Sequence, residues 1–181
     1  MHVNKPITDL KFNVAQLLRE EVGSRRNYEF AEDLLPLDDD MMLQQLRGTV
    51  RFTRTPSGVL GDVAARGTVE MECTRCLTQA AQPIEFRFQD EFHSKIEVNT
   101  GVALPRPDEE DPFFIDETHM VDLGEAIREY ALLALPMQPL CRPDCKGLCP
   151  ICGVDRNLES CSCEESGGDD RFAILRSLLK E

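Results

Sequence analysis

The chain has 181 residues, enough for one domain with tails or one domain plus a small module. It is 41% hydrophobic and 29% charged, lacks Trp, and carries a formal net charge of -13. That charge argues against a simple coat on nucleic acid, because phosphate binding needs Lys and Arg.

The acid is concentrated. Glu29 to Asp40 holds six acidic residues and no basic one, and Asp108 to Glu125 holds eight, again with no Lys or Arg. Both stretches read as loops, either simply solvated or able to dock a basic partner. The N-terminal MHVNKPITDLKF lacks the apolar stretch of a signal peptide, and the longest aliphatic run, Ala131 to Leu135, is too short to span a membrane. A cytoplasmic chain with reduced thiols and no membrane partner is therefore expected.

In chain order, Phe12 to Leu17 has the marks of a helix start. Asn13 can cap, Gln16 can bond back, and Phe12 can staple onto Leu17. Val14, Leu17, Leu18 and Val22 follow helical spacing, and Gly23 suits the C-terminal cap. Residues 24–46 read as acidic and irregular, with Leu34, Leu35 and Leu37 returning to the core.

The period then becomes two. Val50 and Phe52 share a face, Pro56-Ser57-Gly58 signals a turn, and Val59 to Ala65 continues as a strand. Gly67 is expected to turn, and Val69, Met71 and Cys73 line one face of the next strand. Residues 79–92 alternate through Ile84, Phe86 and Phe88. At least four strands with short turns predict an antiparallel meander, which must bury one face or close on itself.

Residues 99–121 mix Pro, Gly and acids and predict a long exposed acidic loop. Asp122 opens a second helix with Glu125 completing a capping box. Leu123, Ile127, Tyr130, Ala131 and Ala134 face inward, and Pro136 ends it. After a hinge at 164–168, Asp169 or Asp170 caps a last helix with Phe172, Leu175, Leu178 and Leu179 on one side.

The predicted class is α+β: a small antiparallel sheet, open or closed barrel-like, with covering helices and a C-terminal cysteine-rich zinc-knuckle module. The expected domains are 1–136, the sheet with its acidic loop, and 137–181, the cysteine module with the last helix.

Six of the eight cysteines fall in Cys141 to Cys163. In the cytoplasm such density reads as metal ligation before disulfides. Cys149-Pro150-Ile151-Cys152-Gly153 has the form of a zinc knuckle, whose C-x2-C turn brings two thiolates to one metal. Four of Cys141, Cys145, Cys149, Cys152, Cys161 and Cys163 would close one tetrahedral site, and spacing does not choose which four. Cys73 and Cys76 either supply a second site, share ligands with the tail, or are buried structural thiols. Zinc, one ion or two, suits all-thiolate sites, and no haem or ferredoxin spacing is present.

No catalytic pattern accompanies these thiols. His2, His93 and His119 show no metalloprotease or Cys–His spacing, no phosphate-binding Gly loop appears, and four thiolates leave a metal no open position. A non-enzymatic protein without a small-molecule substrate is expected.

Glu72 to Leu77 (E-C-T-R-C-L), the acidic linker, the helix ending Ala134-Leu135-Pro136, and CRPDCKGLCPICG followed by C-S-C together resemble the YceD family, the large ribosomal RNA subunit accumulation proteins. The resemblance runs in order from about residue 45 to the C-terminus. It departs from many relatives in two places: they read C-G-x-N-L-N where this chain has Cys152-Gly153-Val154-Asp155-Arg156-Asn157, and D-P-R where it has Asp169-Asp170-Arg171. It implies a factor supporting accumulation or processing of 23S ribosomal RNA, with that RNA, its precursor or a basic large-subunit ribosomal protein as partner. The other classes compatible with the residues are a zinc-ribbon adapter for another complex and a thiol redox or metal-relay protein. The net charge favours holding a basic protein. Direct RNA contact would be local, through Arg47, Arg51, Arg54 or Arg75, joined by Arg66 and Arg87 if the fold gathers them.

Overall fold

A computed structural model of the chain describes residues 10–105 and 113–163. The expected hinge at 164–168, the last helix with Phe172, Leu175, Leu178 and Leu179, and residues 106–112 of the acidic stretch lie outside the described residues. The elements are β1 (Lys11–Asn13), α1 (Ala15–Leu18), β2 (Arg25–Asp38), β3 (Met41–Arg54), β4 (Gly58–Glu72), β5 (Gln79–Ser94), β6 (Phe113–Ile115), β7 (Met120–Asp122) and α2 (Gly124–Leu133). The chain divides into two compact units: Met1–Glu70 with Ala81–Met137, and Met71–Ala80 with Gln138–Glu181. Among the described residues no helix is long and apolar enough to cross a membrane.

In the first unit the strands run β2-β3-β4-β5-β6, with β2, β3 and β4 pairing antiparallel and β6 parallel to β5. The sheet curls into a half-barrel, so the expected antiparallel, barrel-like α+β architecture is the one present. Period-two burial shows why. Val50 and Phe52 on β3, Val59, Val63 and Val69 on β4, and Ile84, Phe86, Phe88 and Phe92 on β5 are all buried, while their neighbours largely point away. Phe52 is fully buried, with Phe12, Tyr28 and Phe92 at centroid distances of 5.7, 5.8 and 6.3 Å.

Helix α2 covers the apolar face. Leu123, Ala126, Ile127 and Ala131 are fully buried, and the Tyr130 ring stacks on Phe88 at 4.3 Å and 1°. Such a pair contributes about 0.5–1.5 kcal/mol beyond its area. The Arg128 guanidinium donates to the Leu37 carbonyl at 2.9 Å, tying the helix to β2. Asp122 accepts from the Gly124 amide at 2.9 Å, but Glu125 does not close the expected capping box: it pairs with Arg128 at 2.8 Å.

Four local expectations are corrected. Residues 24–46 are not irregular: β2 and β3 form a long hairpin, and Glu29, Glu32 and Asp33 lie on a strand rather than in a loop. Gly67 does not turn. It lies inside β4, where a Cβ would come 2.6 Å from Leu43 Cδ1. The first helix is only four residues long, because Gly23 (φ 96°) donates to the Arg54 carbonyl at 2.8 Å and Arg54 N donates to Ser24 O at 2.9 Å. That pairing draws the chain into β2 before the helix reaches Val22, which is exposed. Within 99–121, the described residues carry β6 and β7, and β7 pairs with β1.

Candidate metal centres

The second unit begins where β4 gives way to β5. Cys73-Thr74-Arg75-Cys76 forms the turn: the Cys73 amide donates to Thr78 O and the Leu77 amide to Cys73 O, each at 2.9 Å. Leu77 takes φ of 62° to close it. The tail docks on this turn by backbone bonds. Thr74 donates its amide and its hydroxyl to Pro139 O at 2.9 and 3.3 Å, and the Leu148 amide donates to Arg75 O at 3.0 Å.

Docking aligns the thiols. Cys73 Sγ lies 3.8 Å from Cys145 Sγ, and Cys76 Sγ lies 3.5 Å from Cys141 Sγ. All four sulfurs fall within 4.8 Å of one another. Cys73, Cys76 and Cys145 are buried, with Leu140 and Leu148 packed against them. Gly147 is required here. Its φ is 71°, which strains any L side chain, and a Cβ would press on Arg75 O at 3.0 Å.

The remaining four thiols make a second tetrad, Cys149, Cys152, Cys161 and Cys163, again with every sulfur within 4.8 Å. The Cys149 amide donates to Val154 O at 2.8 Å and the Gly153 amide to Cys149 O at 2.9 Å, which folds the knuckle over its own sulfur. Leu148 bridges to Asp155, and the Leu158 and Glu159 amides both bond to Asp155 O, sending the chain back to Cys161. Here Cys149 is buried, Cys161 and Cys163 are half-buried, and Cys152 is exposed.

Each tetrad combines easily ionised and reluctant thiols. Burial opposes ionisation of Cys73, but backbone groups of Cys141, Cys76 and Arg75 outweigh it and bring the thiol down to about 6. Burial, with the thiols of Cys76 and Cys145, pushes Cys141 up to about 12. The Cys152 and Ile151 amides bring Cys149 down to about 6, while the Cys152 thiol and burial push Cys163 up to about 12. Four thiols this close cannot all ionise unaided, and a cation among them removes that conflict. All eight cysteines are free. Each tetrad could hold a metal ion, and four-sulfur saturation would leave it no open position for chemistry.

The arginine candidates divide: Arg54 and Arg75 are tied to backbone carbonyls, whereas Arg47 and Arg51 share one face of β3. The Arg75 guanidinium donates to Cys145 O at 2.9 Å, supporting the first tetrad. Arg54 donates to Leu18 O at 3.1 Å, to Gly58 O at 2.9 Å and to Thr55 O, an anchoring role in the first unit. Arg47 and Arg51 are exposed on β3. His93 and His119 belong to neither tetrad, and His2 lies outside the described residues. Sequence reasoning missed Asn157, whose Nδ2 donates to Cys145 Sγ at 3.4 Å. Its only signal was its place in the segment that follows the Cys149–Cys152 knuckle.

The chain matches the family model of YceD, large ribosomal RNA subunit accumulation protein, over residues 61–179, a span that contains all eight cysteines. It is 33% identical over 149 residues to an uncharacterized protein of Mycobacterium tuberculosis, covering 81% of this chain and 67% of the relative. It is 26% identical over 166 residues to the uncharacterized protein YlbN of Bacillus subtilis, covering 87% and 91%. A Zea mays relative, 25% identical over 139 residues (64% of this chain, 47% of the relative), bears the name large ribosomal RNA subunit accumulation protein YCED homolog 1, chloroplastic. No solved structure matches the chain.

Proposed function

The chain belongs to the YceD family of large ribosomal RNA subunit accumulation proteins, and on that premise we propose that it is a non-enzymatic, cytoplasmic factor supporting accumulation of 23S ribosomal RNA while the large subunit assembles. One observation carries the reading: the family match spans both tetrads and the turn between β4 and β5, and so covers the whole of the second unit's cysteine framework.

The metal on this reading is zinc, one ion per tetrad. A tetrahedral ion with sulfur bonds of about 2.3 Å has sulfur–sulfur edges of roughly 3.8 Å, and the Cys73–Cys145 separation is 3.8 Å. Zinc would supply folding energy rather than catalysis, on the order of 10–16 kcal/mol in small peptides. The partner is the 23S RNA or its precursor, or a basic large-subunit protein. Asp38, exposed at the end of β2, and Asp39 and Asp40, exposed between β2 and β3, are the acids such a protein would meet.

The test is genetic. Deleting the gene in the organism that encodes it should lower 23S relative to 16S RNA and reduce free large subunits on sucrose gradients, and the wild-type gene should restore both. An unchanged ratio would sink the reading.

A further inference from the structure

Period-two alternation buries one face of the first unit's sheet and leaves the other to be read residue by residue. Opposite Val50, Phe52 and Val63, that other face carries Arg47, Thr49 and Arg51 on β3 and Asp62, Ala64 and Arg66 on β4. With Glu29 on β2 and Arg87 on β5, Arg47, Thr49, Ala64 and Arg66 line a groove of about 780 Å³, and Arg51 and Asp62 line the groove beside it. A second groove sharing Glu29, Thr49, Ala64 and Arg87 extends the first to Arg25. Short side chains at Thr49 and Ala64 floor the channel, and arginines rim it.

Its charges are unbalanced. Arg51 lies opposite Asp62 and pairs with it at 3.7 Å. Arg47 lies opposite Arg66 instead. Like charges directly opposite on neighbouring strands are unfavourable, and among the described residues no carboxylate pairs with either. Across both grooves Arg25, Arg47, Arg51, Arg66 and Arg87 stand against Glu29, Asp62 and Glu85. That is an excess of two positive charges (five minus three) on a chain of net charge -13.

Resting on the reading of this chain as a ribosomal-RNA factor, we propose that this face, centred on Arg47 and Arg66, docks the phosphate backbone of RNA. A phosphate between the two guanidinium groups turns a repulsive pair into charge-assisted hydrogen bonds. The spacing selects a polyanion over a single phosphate: four residues along one strand separate Arg47 from Arg51 by about 13 Å. The chain's overall negative charge opposes approach only at long range, because screening sets in beyond about 8 Å at physiological ionic strength.

The full-length protein is titrated against a fluorescein-labelled single-stranded fragment of large-subunit RNA, by anisotropy, over roughly 50 to 200 mM KCl. The Arg47→Gln/Arg66→Gln variant should bind at least ~10-fold more weakly, and its salt slope should fall by about 1.4, twice the value for one single-strand phosphate contact. Arg19→Gln, an exposed arginine beyond α1, should change neither. Because Arg66→Gln alone relieves the Arg47 repulsion, its Tm should not fall, which separates lost binding from lost folding. Unchanged affinity and slope in the double variant would overturn the proposal. So would a wild-type chain that ignores RNA yet binds polylysine. In deletion cells, a double variant that restores 23S RNA would overturn the docking surface and leave the proposed function standing. No loss of 23S RNA on deletion would defeat the function whatever the groove binds.

Discussion

The Asn157 side chain joins the two tetrads: its Nδ2 donates to Cys145 Sγ at 3.4 Å, yet the residue belongs to the loop between Cys152 and Cys161. Its Oδ1 accepts from the Lys146 amide at 2.8 Å and from Arg142 at 2.7 Å, so the loop of the second tetrad clamps the segment that carries Cys145. Burial opposes ionisation of Cys145, but the Asn157 amide, the Gly147 backbone and the Cys141 and Cys76 thiols together outweigh it and lower the thiol. A donor to the ionised sulfur favours that sulfur as a ligand. Asn157→Leu should therefore weaken metal binding at the first tetrad by roughly 10–100-fold, the usual effect of losing such a supporting bond. Competition against a chromophoric zinc chelator reads this directly. Equal affinity in both proteins would show the bond to be incidental.

Metal removal should divide the molecule. The second unit has little apolar core of its own: Leu140 and Leu148 are only partly buried, and Ile151 and Leu158 are 57% and 83% exposed. The first unit has a continuous aromatic and aliphatic core around Phe52. A strong chelator should raise amide exchange across 138–163 and 71–80 to that of open chain, while β2 and β3 keep their protection. Loss of protection in both units at once would contradict this, as would retention in both.

How far these features could be read from the residues depended on what was locally encoded. The Val50–Phe52 and Ile84–Phe86–Phe88 alternations were legible because one-sided burial writes itself as period two. β2 was not: Glu32 is buried and Leu34 is 50% exposed, and the register shifts between Pro36 and Asp38, so polarity stops tracking the faces. The bulge between Gln44 and Arg47, with Gln45 at φ 53°, hid the start of β3 in the same way. The C-x2-C turns were visible as spacing. Their partners were not, because Cys73 meets Cys145 through the docking of Thr74 on Pro139, a contact across 65 residues of chain. The opposition of Arg47 and Arg66 depends on register, which composition does not record.

Asp90 should destabilise the fold at neutral pH. Burial raises its carboxyl, the Tyr130 hydroxyl at 3.4 Å offsets this only in part, and among the described residues the buried Oδ2 has no hydrogen-bond partner. A carboxyl raised above its unfolded value of about 3.9 binds its proton more tightly when folded. Its favourable contribution is complete below that value and is lost as pH rises through the folded value. Asp90→Asn should thus raise Tm at pH near 7, with the gain shrinking toward pH about 4. Thermal melts across that range test it, and a pH-independent difference would remove Asp90 as the cause.

Glu97 should act in the opposite sense. The chain from Lys95 to Leu104 closes on itself through the Ile96–Ala103 bridge, with Gly101 at φ 69°, and Glu97 organises the turn. The Thr100 hydroxyl and the backbone amides of Asn99 and Thr100, at 3.1 and 2.7 Å for the amides, hold its carboxyl down to about 2. A carboxyl depressed below its unfolded value of about 4.3 contributes stability that is complete above that value and lost as pH falls through the folded one. The turn should therefore loosen between pH about 4 and about 2, seen as faster amide exchange at Asn99 and Thr100 relative to β3. Glu97→Gln keeps the shape but cannot carry the charge. It should show faster exchange at those amides already at neutral pH and should lose the acid dependence. A variant that retained the wild-type pH profile would place the titrating group elsewhere.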